Sequence, residues 1–460
     1  MRYLVYAMMF NSDDPFIQDL YSKYLISKGV STDTRTVKSN EIFFALKGDN
    51  FDGNAYAMQA LEKGASLAVV DSPELRMNDD PRLIHTDNAL FTLQHLAHHH
   101  CLTKEFYVTA ITGSNGKTTT KEILRHIVRN EDFVAVTEGN LNNHIGVPLT
   151  ILKKYPPSVT ELVLEFGDNH LGDIDLLCQI AEPIAGMITN IGEDHLGEFG
   201  SMDNNIRSKL QLFDDIESRN EELGVLFVNI YDLNLEAYAE KLRPIVQVVP
   251  YGNGKSLEGV VDMKNVSDTP KGLSMDIIVE GYGKESVKSQ LRGGYNAQNI
   301  LAAYVLAMQF VGHETIVEGI SSFVPQNNRS QWIDKGTYQI LLDAYNANPS
   351  SMREAIKSVC SWKNQKPVLL LGDMLELGVF SADAHKKMLA FIEMYKPVEV
   401  VTVGSEFAQA AKGNTYSYPL RAIEKVEDLK GEWKTIAESG TVVLIKGSRG
   451  LRMEKILEYL

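Results

Sequence analysis

Cysteine is scarce in this chain: Cys101, Cys178 and Cys360 are the only three in 460 residues, odd in number and without paired spacing. Neither a disulfide framework nor a zinc site is implied, and a reducing cytoplasm fits best. Long apolar runs are missing as well. No stretch approaches the roughly 18 apolar residues of a membrane helix, so no membrane insertion is expected. Residues 1–10 are apolar but short, carry Arg2, and run into Asn11-Ser12-Asp13-Asp14 without a small-residue cleavage site, so they do not read as a targeting segment. Positive charge is in deficit, with 45 Lys and Arg against 60 Asp and Glu for a net charge of −15. That disfavours a nucleic-acid partner, which usually demands a basic face. An anionic substrate must then be gripped by local cations.

What is present is an ordinary globular composition, 44% apolar and 23% charged. The length predicts two to four domains. Periodicity gives a strand at 41–46, a helix at 56–63 and a strand at 66–70, then a helical run through Leu93, Leu96 and Ala97. The chain restarts with a strand at 106–111, which places a first boundary near Thr103. Further strands at 162–166, 185–191 and 224–229 alternate with helical patterns, the signature of a doubly wound, mostly parallel sheet. A Gly-rich, strand-like patch at 260–290 predicts antiparallel pairing, and a strong helix follows at 296–309. Beyond a second boundary at 325–328, strands at 339–342, 368–371, 398–403 and 442–445 predict another α/β domain. The division is therefore 1–103, 104–324 and 325–460. Ligands in open sheets sit at the carboxyl ends of strands, which singles out Asp343, Gly372-Asp373, Gly404 and Lys446-Gly447-Ser448-Arg449.

The strand at 106–111 runs into Gly113-Ser114-Asn115-Gly116-Lys117-Thr118 and then a helix. In that context glycines let backbone N–H groups converge on phosphate oxygens, the helix start adds positive potential, the lysine neutralises charge, and a Thr118 hydroxyl can bind Mg²⁺. The spacing Gly-x-x-Gly-Lys-Thr is two residues shorter than the common phosphate loop. A loop alone does not separate kinase, hydrolase, motor and ligase. One other cluster invites a metal reading: His95 and His98 to His100. It is read instead as a solvated helix end.

Thr112 to Thr118 resembles the Thr-Gly-x-x-Gly-Lys-Thr sequence of the Mur ligases and folylpolyglutamate synthetases. Nearly the whole chain is similar to the Mur ligase family, through Asp33-Thr34-Arg35, residues 42–48, 139–148, Asn169-His170, 195–200, 345–352, 372–378 and 446–449. The resemblance implies three domains: a small α/β N-terminal domain for a UDP-sugar, a central P-loop-type sheet, and a C-terminal Rossmann-like domain that closes on ATP and binds the incoming group. It further implies a cytoplasmic amide ligase of peptidoglycan synthesis that joins D-alanyl-D-alanine to UDP-N-acetylmuramoyl-tripeptide through an acyl phosphate. Three domains around one cleft need no partner, so a monomer is expected. A sister ligase adding a diamino acid or glutamate, a plain phosphotransferase and an inactive nucleotide-gated binding protein are the competing readings. Asn346-Ala347-Asn348 and Gly372-Asp373-Met374 favour the dipeptide enzyme.

The same resemblance assigns roles. ATP would be held by Gly113 to Thr119, by Asn299 near the adenine, by Asp343 at the ribose and by Arg329 closing on the phosphates. Two Mg²⁺ ions would be held by Thr118, Glu165, His195 and Lys209, the lysine carbamylated to supply anionic oxygen. Glu165 and His195 sit at or after the carboxyl ends of expected strands, where such ligands belong. Lys209 follows the N-cap candidate Ser201, at the edge of an apolar stripe of Ile206, Leu210 and Phe213. The chain departs from the family in carrying Gln211 where Glu is frequent, and Tyr295 where His is common. Thr34, Arg35, Lys47 and Gly48 are the candidates for the UDP-sugar. Asn142 or Asn143, Asn346, Asn348, Lys446 and Arg449 are those for the dipeptide.

Overall fold

The computed structural model describes residues 10–48, 51–219, 223–242, 246–431, 436 and 439–459, so the reading of residues 1–9 lies outside the described residues. The chain builds three α/β domains, the last Rossmann-like. In the first, strands Val30–Ser31, Ile42–Phe44, Leu67–Val70 and Leu83–His85 pair in that order, all parallel. Lys47–Gly48 and Phe51–Asp52 form a separate exposed hairpin. Helix Pro15–Ile26 was not expected from periodicity. Its start is nonetheless written in the chain: Asp14 accepts from Phe16 N at 2.9 Å, and Pro15 occupies the first turn.

Helix Ala89–Lys104 carries the chain to the central domain, and here the reading of the histidines is overturned. His95, His98 and His100 are buried. His95 Nε2 lies 2.8 Å from the Asn11 carbonyl, and His100 Nδ1 lies 3.1 Å from the Tyr21 hydroxyl. This helix packs on Pro15–Ile26 on one side and on helices of the central domain on the other, so faces that look solvated in the sequence are covered. Burial drives the His100 imidazole down to about 3, against protonation.

The central sheet has nine strands in the order Gly283–Ser289, Gly272–Val279, Val261–Thr269, Gln247–Tyr251, Val225–Asn229, Ala185–Ile188, Tyr107–Thr112, Glu161–Glu165 and Val134–Val136. The first three form the expected antiparallel patch, and the rest are parallel. Ile111 sits opposite Glu165 and Ile188 opposite Thr112, so three strands present their carboxyl ends side by side. The strand expected at 185–191 stops at Ile188. Thr189 and Asn190 leave the sheet to bind the glycine loop. Strand Gln247–Tyr251 was missed because its half-exposed, Pro-containing sequence lacks an apolar period.

In the third domain the order is Gln331–Asp334, Gln339–Asp343, Thr441–Lys446, Lys366–Gly372, Glu399–Val403 and Leu420–Ile423, parallel except at the first pair. The four expected strands form its centre. Leu369, Leu370, Leu444 and Val401 are fully buried there, each stabilising the fold by about 1.5–3 kcal/mol.

Candidate active site

A cleft of about 640 Å³ separates the central and C-terminal domains, floored by the glycine loop. Gly113 and Gly116 have φ of 134° and 84°, a left-handed region that costs other residues strain. Added side chains would also collide with Thr189 and Asn299, respectively. Thr189 Oγ1 donates to the Asn115 carbonyl at 2.7 Å, and Asn115 N donates to Asn190 Oδ1 at 3.1 Å, which fixes the loop to the neighbouring strand end. Helix Lys117–Ile127 starts directly after Gly116 with no side-chain cap, leaving its first N–H groups for an anion. Lys117 Nζ folds back on the Gly113 carbonyl.

Glu165 ends its strand fully buried. Its Oε1 accepts from Thr118 Oγ1 at 2.7 Å and from Asn142 Nδ2 at 2.9 Å. Oε2 has no hydrogen-bond partner, with Lys121 Nζ 4.0 Å away. A buried carboxylate oxygen left over beside a threonine hydroxyl suits a hard cation. Lys121, unmarked in the sequence, is a second buried cation in this wall. It lies one helical turn after Lys117 and donates to the Gly139 carbonyl at 2.9 Å.

Lys209 is not at the edge of a stripe. It is fully buried, on a helix face with Asn205, Leu212, Phe213 and Ile216, whereas Ile206 and Leu210 are only partly covered. The ammonium does not snorkel because two acids meet it inside: Asp168 Oδ2 and Asp194 Oδ2, each 3.3 Å away. Ser208 Oγ donates to Asp168 at 2.8 Å, and Asn205 Nδ2 donates to Asp194 at 2.8 Å. Burial pushes the Asp194 carboxyl up, but Lys209, Lys117 and hydrogen bonds from Ser114 and Asn205 outweigh it and hold it below the usual range. Sequence reading missed both acids. Their signal was adjacency alone, Asp168 three residues after Glu165 and Asp194 just before His195.

The C-terminal domain supplies the opposite wall. Asp343 Oδ1 accepts from Ser330 N at 3.1 Å, and Lys446 Nζ lies 2.6 Å from Asp343 Oδ2. Arg329 stacks 3.5 Å over the Tyr345 ring. Asn348 caps helix Pro349–Ser361 and reaches across the cleft, its Nδ2 donating to Asn115 Oδ1 at 2.9 Å. His195 Nδ1 meets Glu376 Oε2 at 3.0 Å. The hydrogen bond from His195 keeps the Glu376 carboxyl below its ordinary range, against the opposing effect of burial.

Lys117, Thr118, Thr119, Asn142, Asn143, Glu165, His195, Asn299, Arg329, Asp343, Asn346, Asn348 and Lys446 thus line one cleft. Arg449 lies outside that lining, largely exposed and 3.6 Å from Glu454. The UDP-sugar candidates also stand apart, on the N-terminal domain: Arg35 pairs with Asp33 at 2.6 Å, Lys47 pairs with Asp71 at 2.9 Å, and the Thr34 carbonyl accepts from Lys63 at 2.8 Å.

This fold and this cleft define a nucleotide-dependent enzyme of three domains. Mur ligase models match it in three consecutive stretches: the family's catalytic domain at 27–99, its middle domain at 111–307 and the glutamate ligase domain at 328–449. The UDP-N-acetylmuramoyl-tripeptide–D-alanyl-D-alanine ligase of Bacillus subtilis is 33% identical over 440 residues, spanning 94% of this chain and 93% of that protein. A crystal structure of MurF from Acinetobacter baumannii superposes with a TM-score of 0.82 at 29% identity, over 93% of this chain and 92% of the other. MurF from Thermotoga maritima in complex with ADP also gives 0.82, at 25% identity, over 95% and 97% of the two chains. The chain belongs to the Mur ligase family, within its MurF group.

Proposed function

We propose that the protein is a cytoplasmic, ATP-dependent ligase that joins D-alanyl-D-alanine to UDP-N-acetylmuramoyl-tripeptide, giving the pentapeptide precursor of peptidoglycan. The observation that carries this reading is the single cleft in which Lys117, Glu165 and His195 face a Rossmann-like wall, with Lys209 buried beside them. In the proposed sequence an oxygen of the tripeptide carboxylate attacks the γ-phosphorus, the bond to the β–γ bridging oxygen breaks, and ADP leaves. The dipeptide nitrogen then attacks the acyl carbon, loses its proton, and inorganic phosphate departs. Lys117 and the N–H groups at the start of its helix neutralise the moving phosphoryl charge. Closure of the C-terminal domain excludes water from the acyl phosphate.

Glu165 and Thr118 would hold one Mg²⁺, His195 and a carbamylated Lys209 a second; once bound, the ions screen the phosphate from the approaching carboxylate. The Glu165 site fits a cation as it stands. Lys209 as an ammonium balances Asp168 and Asp194, so carbamylation would invert the local charge and make a cation obligatory there. Asn299 and Asp343 would hold the adenosine, and Arg329 the phosphates. Thr34, Arg35, Lys47 and Gly48 in a domain ending at 103 would hold the UDP-sugar. Asn142, Asn346, Asn348, Lys446 and Arg449 would place the dipeptide, most of them in a domain beginning at 325.

Tripeptide labelled with ¹⁸O in its terminal carboxylate tests the sequence. One labelled oxygen should appear in the released phosphate. Phosphate free of label would rule out carboxylate attack on ATP.

A further inference from the structure

His195 and Glu376 face one another across the domain boundary, and both are non-glycine residues in left-handed backbone, with φ of 47° and 69°. Such conformations cost roughly 1–3 kcal/mol and persist where surrounding contacts impose them. The contacts here are shared between domains. The Glu376 carbonyl accepts from Gly197 N at 3.0 Å, while its carboxylate takes His195 Nδ1 at 3.0 Å. Two glycines let the backbones approach this closely: a Cβ on Gly197 would lie 2.7 Å from Gly378 N, and one on Gly378 would lie 2.9 Å from Gly197 Cα. Asn346 adds a side-chain hydrogen bond to the same carboxylate. An ionised carboxylate can only accept, so the ring nitrogen 3.0 Å from it is the one that carries hydrogen. Nε2 is then left as the acceptor of the ring.

We propose that Glu376 is a positioning residue: delivered by the C-terminal domain, it fixes His195 as the Nδ1–H tautomer with Nε2 free to serve the cleft, so that His195 is competent only when the domains are docked. This rests on the reading of His195 as a cation ligand, since a ligating imidazole needs an unprotonated nitrogen and a partner on the other. The docking of the domain thereby sets the chemistry of a residue on the far side of the cleft.

Histidine-selective ¹⁵N NMR of the full-length protein, with the His195 signal assigned by its loss in His195→Gln, reads the tautomer without any turnover. Wild type should show Nδ1–H and bare Nε2. Glu376→Gln, whose amide oxygen still accepts, should keep that pattern, and Glu376→Ala should lose it. Gly197→Ala, which keeps Glu376 but holds the backbones apart, should imitate Glu376→Ala. In steady-state assays Glu376→Ala should lower kcat by about 10–100-fold with KM for ATP changed less than about twofold, and Glu376→Gln should recover part of the loss. An unchanged tautomer in Glu376→Ala, an Nε2–H or doubly protonated ring in wild type, or wild-type kcat in Glu376→Ala would each overturn the proposal. The NMR result stands whether or not phosphate release depends on the proposed substrates.

Discussion

Gly116 tolerates no side chain. Its φ of 84° and the Asn299 side chain lying where a Cβ would point leave only glycine there. Gly116→Ala should therefore weaken ATP binding at least about tenfold, about 1.4 kcal/mol, measured by calorimetry; binding within twofold of wild type would contradict the geometry. Lys209→Ala should fail twice over. It strips the counter-charge from Asp168 and Asp194, costing about 3–5 kcal/mol of stability, and it removes the carbamate site, so added bicarbonate should not restore activity. Denaturation and turnover of the same preparation check both, and near-wild-type turnover would remove the carbamate role. Lys209 was legible as a residue through its motif, but its surroundings were not. An aspartate beside a motif looks like any surface acid until the strand ends bring it inward, which is why Asp168 and Asp194 escaped notice and why Lys209 was placed only at the edge of an apolar stripe.

Helix Met202–Arg219 shows how far an element can be read. Ser201 was marked as its cap, and Ser201 Oγ accepts from Asn204 N at 3.2 Å. The buried face was assigned one step away from the true one, because the real face includes Asn205 and Lys209, polar residues that no apolar period selects. Near its other end Asp215 is half-buried beside Arg219, and loss of solvent pushes its carboxyl up to about 6 despite the pull of Arg219. The folded state then binds this proton more tightly than the unfolded chain between about pH 4 and 6. Unfolding free energy should decline as pH rises through that window, by up to about 3 kcal/mol from this group. Chemical denaturation across pH 4–7 should show the slope in wild type and a flatter profile in Asp215→Asn; equal slopes would refute the assignment. Interior strands with apolar faces were found, whereas the half-exposed interior strand Gln247–Tyr251 was not. Edge strands Gln331–Asp334 and Leu420–Ile423, with no fully buried residue, were not.

At the scale of the whole molecule, the fold matters for what it brings across the cleft. Asn348 to Asn115, Glu376 to His195, and Arg353 to Glu193 each join the C-terminal domain to the central one. None of these pairings is visible in the sequence, since partners stand 160 or more residues apart. The division into α/β layers and the glycine loop were legible, because they rest on local period and spacing. The reach of one domain into another was not, because it depends on how two finished sheets dock. No helix among the described residues is long and apolar enough to cross a membrane. The central claim is that the cleft couples ATP cleavage to formation of an amide bond between two separate substrates. Phosphate release by purified protein, given ATP and Mg²⁺ with UDP-N-acetylmuramoyl-tripeptide, should be slow alone and rise steeply, one phosphate per pentapeptide formed, when D-alanyl-D-alanine is added. Release at the same rate with and without the dipeptide would contradict it.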